Sequence, residues 1–425
     1  MEVIAEKGGD YAPTFANARD PTVAGPLASS HFGTSAVPRG CGVIGARIVA
    51  YVQPGRDNRE RASRAPSHAA DAALQRSPQP LRSHRQSHGL GQSRTQAAQP
   101  HSLTASGSHR SKPNGGNTKE TRMRIGVGIG AMTGDDGIEA LVAQARRVEA
   151  AKLDNVWMAN IFGFDAIAAL ALIGYAVPRI GLGTAVTPTY PRHPTALAQQ
   201  ALTTASATGN RFSLGIGLSH KLVIEGMLGF SYDKPARHMR EYLAVLMPLL
   251  RGESTTFHGE QYNVNNVQFS VPGAKPPPVI VAALGPTMLR LAGEFTDGTT
   301  TWMVGPKTMS GHIIPALRAG AMSAGRPEPT VVGGFPILLT NKPDEARAKI
   351  SAALTIYGQL PSYRAMLDHE GAKLPGDVAI VGDENALRSD LKRLQDMGVT
   401  DFNASILPLE AGGYERTLEF LSSLK

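Results

Sequence analysis

Short apolar runs alternate with amphipathic stretches from residue 124 to the end of the chain. Eight of the runs read as strands: RIGVGIG (124–130), NVWMAN (155–160), IGLGTAVT (180–187), RFSLGIG (211–217), PVIVAA (278–283), GTTTWM (298–303), TVVGGFPILLT (330–340) and DFNASIL (401–407). Continuous apolar segments of this length, each followed by helix-period sequence, imply parallel strands covered on both faces. Between them, Ile138, Leu141, Val142, Ala145 and Val148 fall on one helical face, with Arg146, Arg147 and Glu149 off it. Pro194 suits the first turn of a helix carrying Leu197, Ala198, Ala201 and Leu202. Asp383 is placed to cap a helix bearing Leu387, Leu391 and Leu394, and Gly398 to end it in the left-handed conformation. Eight such units predict an α/β fold, a (β/α)8 barrel of TIM type. An open doubly wound sheet is the alternative, and it rarely uses eight parallel strands in strict alternation.

The spacing refines the picture. Successive strand starts lie 31, 25, 31, 67, 20, 32 and 71 residues apart. Most intervals hold one helix and two loops, so the two long ones predict insertions after strands 4 and 7. Residues 218–277 should contain a helix at about 235–250 and a hairpin at TTFHGEQYNV. Residues 341–400 form the second enlarged region.

Charge divides the chain at the start of the first strand. Residues 1–122 hold 16 Lys and Arg against 8 Asp and Glu, whereas residues 123–425 hold 27 of each. The net charge of +8 therefore belongs to the front segment. That segment has four aromatics (Tyr11, Phe15, Phe32 and Tyr51) and no sustained apolar period, so it reads as a disordered basic extension. A basic arm can bind nucleic acid. The plainer reading is an upstream extension with Met123 as the working start, because TRMRIGVGIG enters a buried strand at once. The patch CGVIGARIVAYV (41–52) is too short and arginine-interrupted to span a bilayer, and too far from the terminus for a signal peptide. Cys41 is the sole cysteine, which excludes a disulfide within the chain. The expectation is a cytoplasmic domain, 123–425, acting on a small molecule, without membrane or nucleic-acid partners.

In a barrel of this kind the chemistry sits at the carboxyl ends of the strands. Those ends are Asn160, Ala185–Thr187, Gly217–His220, Ala283–Thr287 and Trp302–Met303. They include no metal-ligand spacing, no paired carboxylates and no GxSxG elbow. A mouth poor in acids and bases suits a reaction whose electronics reside in a cofactor. In ALGPTMLRLAGEFTDG (283–298) a strand ends and a helix begins with Pro286 near its first turn. Gly285 would let a ligand approach the backbone, and the helix N-terminus favours an anion such as phosphate. A tight turn that binds nothing is equally compatible. GVGIGAMTGDDG (126–137) lacks the third glycine of a dinucleotide loop and reads as packing of strand 1. His220 is a proton donor, a cofactor contact or a loop hydrogen bonder. Asp165, His193, Glu225, His238 and His258 read as surface or structural groups, and Tyr242, Leu243 and Leu246 as the packing face of their helix.

Two stretches carry a family resemblance. GTAVTPTYPRHPTALAQQALTTASATGNRFSLGIGLSH and VIVAALGPTMLRLAGEFTDG resemble the luciferase-like superfamily of oxidoreductases, and within it the coenzyme F420-dependent oxidoreductases of actinobacteria. The similarity covers about residues 124–422. It implies a barrel with the cofactor across the strand ends and hydride transfer between coenzyme F420 and an organic substrate. The alternatives are an FMN-dependent monooxygenase and a non-catalytic flavin- or deazaflavin-binding protein. It also implies roles by position. Asn160 falls where relatives often hold an acid near cofactor or substrate, and as an amide departs from that pattern. Ala185–Val186 matches a non-prolyl cis peptide behind the tricyclic ring. His220 matches an acid or histidine near the ring and is the candidate catalytic residue. Ala283, Leu284, Gly285, Pro286 and Thr287 match the loop holding the phosphate of the cofactor tail. Pro188, Pro191 and Pro194 would then turn the chain rigidly away from the ring, with Thr187 and Tyr190 at the pocket rim. Relatives often form homodimers.

Overall fold

The computed structural model describes residues 122–130 and 137–425. The expected basic extension, apart from Arg122, lies outside the described residues, as do residues 131–136 of the first glycine-rich stretch. Eight parallel strands form a closed barrel: β1 (Arg124–Ile129), β2 (Asn155–Met158), β3 (Gly181–Thr184), β4 (Phe212–Gly217), β5 (Val279–Ala282), β6 (Gly298–Trp302), β7 (Thr330–Leu339) and β8 (Asp401–Ile406). Neighbours in sequence pair around the ring, and β8 returns to β1 with Arg124 opposite Asp401. Closure is what the eight apolar runs predict, and the open sheet is not formed.

The outer helices are α1 (Ile138–Ala150), α2 (Ala166–Ala176), α3 (Pro194–Ala207), α4 (Pro235–Leu250), α5 (Pro286–Phe295), α6 (Ile314–Ser323), α7 (Glu384–Met397) and α8 (Gly413–Ser423). On α1, Leu141, Ala145 and Val148 are fully buried. Burial of each larger apolar side chain contributes about 1.5–3 kcal/mol. Pro194 begins α3, where His193 is the cap residue. Asp383 accepts a hydrogen bond from the Ala386 N–H at 2.9 Å and starts α7. Gly398 ends that helix at φ 109°, a conformation that favours glycine.

Both insertions stand where the spacing places them. After β4 come a short helix (Lys221–Ile224), α4 and a hairpin of Thr255–His258 with Asn263–Val267. The Glu241 carboxylate on α4 accepts from the N–H groups of Glu260, Gln261 and Tyr262, fixing the hairpin turn against the helix. After β7 come helices Pro343–Ala353, Thr355–Gln359 and Pro361–Glu370, then a short strand, Ile380–Gly382, on β7. Glu370 accepts from the N–H groups of Lys307 and Thr308 and from the Thr308 hydroxyl. That contact ties this insertion to the loop after β6. At the amino ends of the strands, buried Asp401 pairs with Arg124 and with the Asn155 amide, in the part of such a barrel that serves stability. No described helix is long and apolar enough to cross a membrane.

Candidate active site

The strand ends surround one cavity of about 340 Å³. Its floor is set by inward-facing residues of the barrel. Gly128 on β1 leaves room beside Asn403 on β8, and Trp157 on β2 lies flat between Gly126 and Gly183. A Cβ on Gly126 would fall 2.7 Å from the Trp157 Nε1, so small residues on the neighbouring strands seat the indole. The indole N–H of Trp157, on the Gly126 side, and the side-chain carbonyl of Asn403, beside Gly128, are buried without a hydrogen-bond partner. Sequence reading missed both. Their signal was a polar or bulky residue inside an otherwise apolar strand.

One wall is the chain leaving β3. The peptide bond between Ala185 and Val186 is cis, as the resemblance implies. The Ala185 N–H donates to the Met158 carbonyl at 2.8 Å, and the Asn160 N–H donates to the Val186 carbonyl at 3.2 Å. From the other side, a Cβ on Gly215 would overlap the Thr184 carbonyl oxygen. Glycine at that position lets β4 run flush against the turn.

His220 lines the cavity two residues beyond Leu218, after Ser219 at φ 59°. It is the residue before the short helix Lys221–Ile224 but makes no side-chain capping bond there. Burial pushes its imidazole below the usual value of 6.5, so it stands neutral at pH 7. Its ring lies 5.8 Å from that of Tyr363. Tyr232 completes this side, its hydroxyl donating to the Ser219 carbonyl at 3.3 Å.

Ala283, Leu284 and Gly285, at the end of β5, also line the cavity. Gly285 is the N-cap of α5, with Pro286 in the first turn, and a Cβ there would meet nothing within 4 Å. Pro286 and Thr287 are exposed at the start of the helix, outside the cavity wall. His312 holds the loop from behind, donating from Nε2 to the Leu284 carbonyl at 2.7 Å. Nothing in its local sequence marks that role.

The remaining expected residues lie elsewhere. The Asn160 side chain is outside the cavity wall: its carbonyl accepts from the Ala166 N–H at 3.0 Å and from Arg192 at 3.2 Å. Arg192 also pairs with Asp165, which caps α2. Thr187 and Tyr190 do not reach the rim. Thr187 is fully buried, and Tyr190 stacks on His238 with ring centroids 3.8 Å apart. His238 packs behind the wall, within 2.9 Å of the Thr189 hydroxyl, which makes it a structural group as expected.

The roof comes from the 341–400 region, but which of its side chains face the cavity was not legible in the sequence. Leu354, Tyr357, Ser362 and Tyr363, from the insertion after β7, close over Trp302. Trp302 and Tyr357 meet edge to face at 6.5 Å, and Tyr357 and Tyr363 at 5.2 Å. Among the described residues, the lining contains no Asp, Glu, Lys or Arg, and no three His, Cys, Asp or Glu gather in metal-binding geometry. The arrangement can hold a flat ring between Val186 and the roof, with an anion at the Gly285 end.

Comparison with known proteins agrees with this geometry. Residues 121–401 match the luciferase-like monooxygenase family. An F420-dependent glucose-6-phosphate dehydrogenase of Nakamurella multipartita is 35% identical over 162 residues, 37% of this chain and 48% of that protein. An F420-dependent hydroxymycolic acid dehydrogenase of Mycobacterium tuberculosis is 30% identical over 221 residues, 49% of this chain and 60% of that protein. The chain thus spans about half to three fifths of the length of these curated relatives. The fold is shared with the FMN-bound oxygenating constituent of 3,6-diketocamphane monooxygenase from Pseudomonas putida, at TM-score 0.59 and 14% identity, covering 71% of this chain and 97% of that one.

Proposed function

Because the chain belongs to the luciferase-like monooxygenase family, we propose that it is a coenzyme F420-dependent oxidoreductase exchanging a hydride with an organic substrate. The observation that carries this reading is the cavity that runs from Val186 past His220 to Gly285 at the carboxyl ends of the strands and is lined, among the described residues, by uncharged side chains. The residues fit a planar heterocycle. The uncharged wall of Ala185, Val186 and Leu218 under the aromatic residues Trp302, Tyr357 and Tyr363 suits its flat faces, and the open position at Gly285, where a Cβ would meet nothing within 4 Å, leaves the start of α5 accessible to an anionic tail. Ala185 and Val186 would back the ring, and Ala283, Leu284 and Gly285, with Pro286 and Thr287 opening α5, would receive the phosphate of its tail. When bound, such a deazaflavin supplies two-electron hydride exchange.

The chain's own residues orient the partners, exclude water and move one proton. Neutral His220 can accept the hydroxyl proton of an alcohol while its carbon gives up a hydride; the imidazolium returns the proton in the reverse direction. The aromatic roof keeps bulk water from the reacting centre. Support for F420 comes from the curated relatives, whose names carry that cofactor. The second reading is an FMN-dependent monooxygenase, favoured by the family's description; a binding protein without catalysis is the third.

Titration of the purified full-length protein with F420 and with FMN separates these readings. The expected result is saturable F420 binding at least about tenfold tighter than FMN, a free-energy gap of about 1.4 kcal/mol. Preference for FMN would replace the first reading by the second. Tight binding with no oxidation or reduction of the ring by any donor or acceptor would leave only the third.

A further inference from the structure

The cavity wall discriminates by charge. Among the described residues, every side chain that lines it is apolar, aromatic or uncharged, and the Arg192–Asp165 pair lies behind Asn160. The hydroxyls on the wall are partly spent already: Thr301 donates to Met309 Sδ and Tyr232 to the Ser219 carbonyl. Trp302, Tyr357 and Tyr363 stand edge to face and offer broad hydrocarbon surface to whatever lies beneath them. Apolar character continues outward, with Phe162 and Phe164 after β2 and Leu228 and Phe230 after β4 exposed by 41–49%.

We propose that the substrate is a neutral, apolar, ring-bearing alcohol or ketone, and that the roof rejects carboxylated or phosphorylated analogues. The proposal rests on the hydride-transfer reading above, which supplies the alcohol–ketone pair. The discrimination is physical. An anion held beneath the roof, away from the helix N-terminus at Gly285, would lose its hydration and find no guanidinium or ammonium among the described lining residues in return. A neutral ring loses little on entering and gains contact with the aromatic faces. The single oxygen of such a substrate can meet the imidazole of His220, which lines the cavity with its ring 5.8 Å from that of Tyr363 in the roof.

Calorimetry on the full-length protein with two isosteric probes, cyclohexyl methyl ketone and cyclohexanecarboxylate, tests the claim. Each is titrated at pH 7.5 with and without saturating F420. The ketone should bind at least about tenfold tighter than the carboxylate wherever it binds. Both tryptophans of the chain, Trp157 and Trp302, line the cavity, so quenching of their emission in the F420-free arm locates the probe. Ser362→Lys places a cation in the roof at an exposed position and should raise carboxylate affinity several-fold. Equal or tighter binding of the carboxylate to the unaltered protein overturns the proposal. So does saturable binding of neither probe in either arm, or a Ser362→Lys variant that leaves carboxylate affinity unchanged. F420 binding without ketone preference sinks this proposal and spares the cofactor reading; ketone preference without F420 binding does the reverse.

Discussion

A Cβ placed on Gly217 would lie 2.7 Å from Val186 Cγ2. The last residue of β4 is thus pressed against the side chain of the cis-linked residue after β3, and the obstacle belongs to a buttressed wall rather than to a flexible tip. Gly217→Ala should therefore push Val186 into the cavity. We expect a loss of about 1–3 kcal/mol in stability from overpacking and a drop in cofactor affinity, measured by denaturant unfolding and by titration. Unchanged affinity would show that Val186 does not back the ring.

Gly285 presents the opposite case. Its surroundings leave a side chain free of contact, and its backbone is extended at φ −80°. Gly285→Asp should leave the thermal midpoint within a degree or two, since exposed substitutions of this kind change stability by about 0.5 kcal/mol or less. Cofactor affinity should fall by about tenfold or more, because a carboxylate then competes for the helix N-terminus. Equal affinity would move the phosphate elsewhere.

His220 makes a prediction in pH. Burial lowers its pKa, so the neutral base persists below pH 6.5. Alcohol oxidation should hold its rate from neutrality down through pH 6.5 and decline only at lower pH, as the imidazole protonates. His220→Ala should abolish that acid limb and cut turnover by about 10²-fold or more, with cofactor affinity preserved. Full turnover with the same pH profile would remove His220 from the chemistry.

His238 governs stability rather than turnover. Burial lowers its pKa from 6.5 to about 4. The unfolded chain therefore takes up the proton first, and folding opposes protonation. Stability from this group is intact above about pH 6.5 and is lost as pH falls toward 4, by at most about 3 kcal/mol. His238→Gln should flatten denaturant midpoints across that interval, though at lower stability near neutrality, because its stacking on Tyr190 is lost. A midpoint in His238→Gln that still falls as steeply would assign the acid sensitivity to another group.

The barrel was readable because parallel strands buried on both faces are continuous apolar runs, and all eight runs are strands. Ala185–Val186, His220 and Gly285 were legible as strand-end positions because strand ends and helix starts are punctuated by glycine and proline, whereas the cis bond at Ala185–Val186 was implied by the family resemblance alone. The floor was harder. Trp157 and Asn403 belong to strands whose apolar neighbours hide a single inward-facing polar group. Tyr190 failed as a rim residue because His238, far along the chain on α4, offers its ring a better partner than solvent. Asn160 was correctly placed at a strand end, but its side chain is taken by Ala166 and Arg192, a contact set by the loop that follows. Tyr357 and Tyr363 had no signature, since short helices in an insertion carry no period long enough to reveal which face looks inward.

Leu354, Tyr357, Ser362 and Tyr363 come from one uninterrupted stretch, anchored through Glu370 to the loop after β6, while the positions proposed for catalysis and for the phosphate follow β4 and β5. On the proposed reading, recognition and reaction are written in different parts of the gene. A graft of that one stretch between two relatives would swap the molecules they accept while the redox engine beneath ran as before.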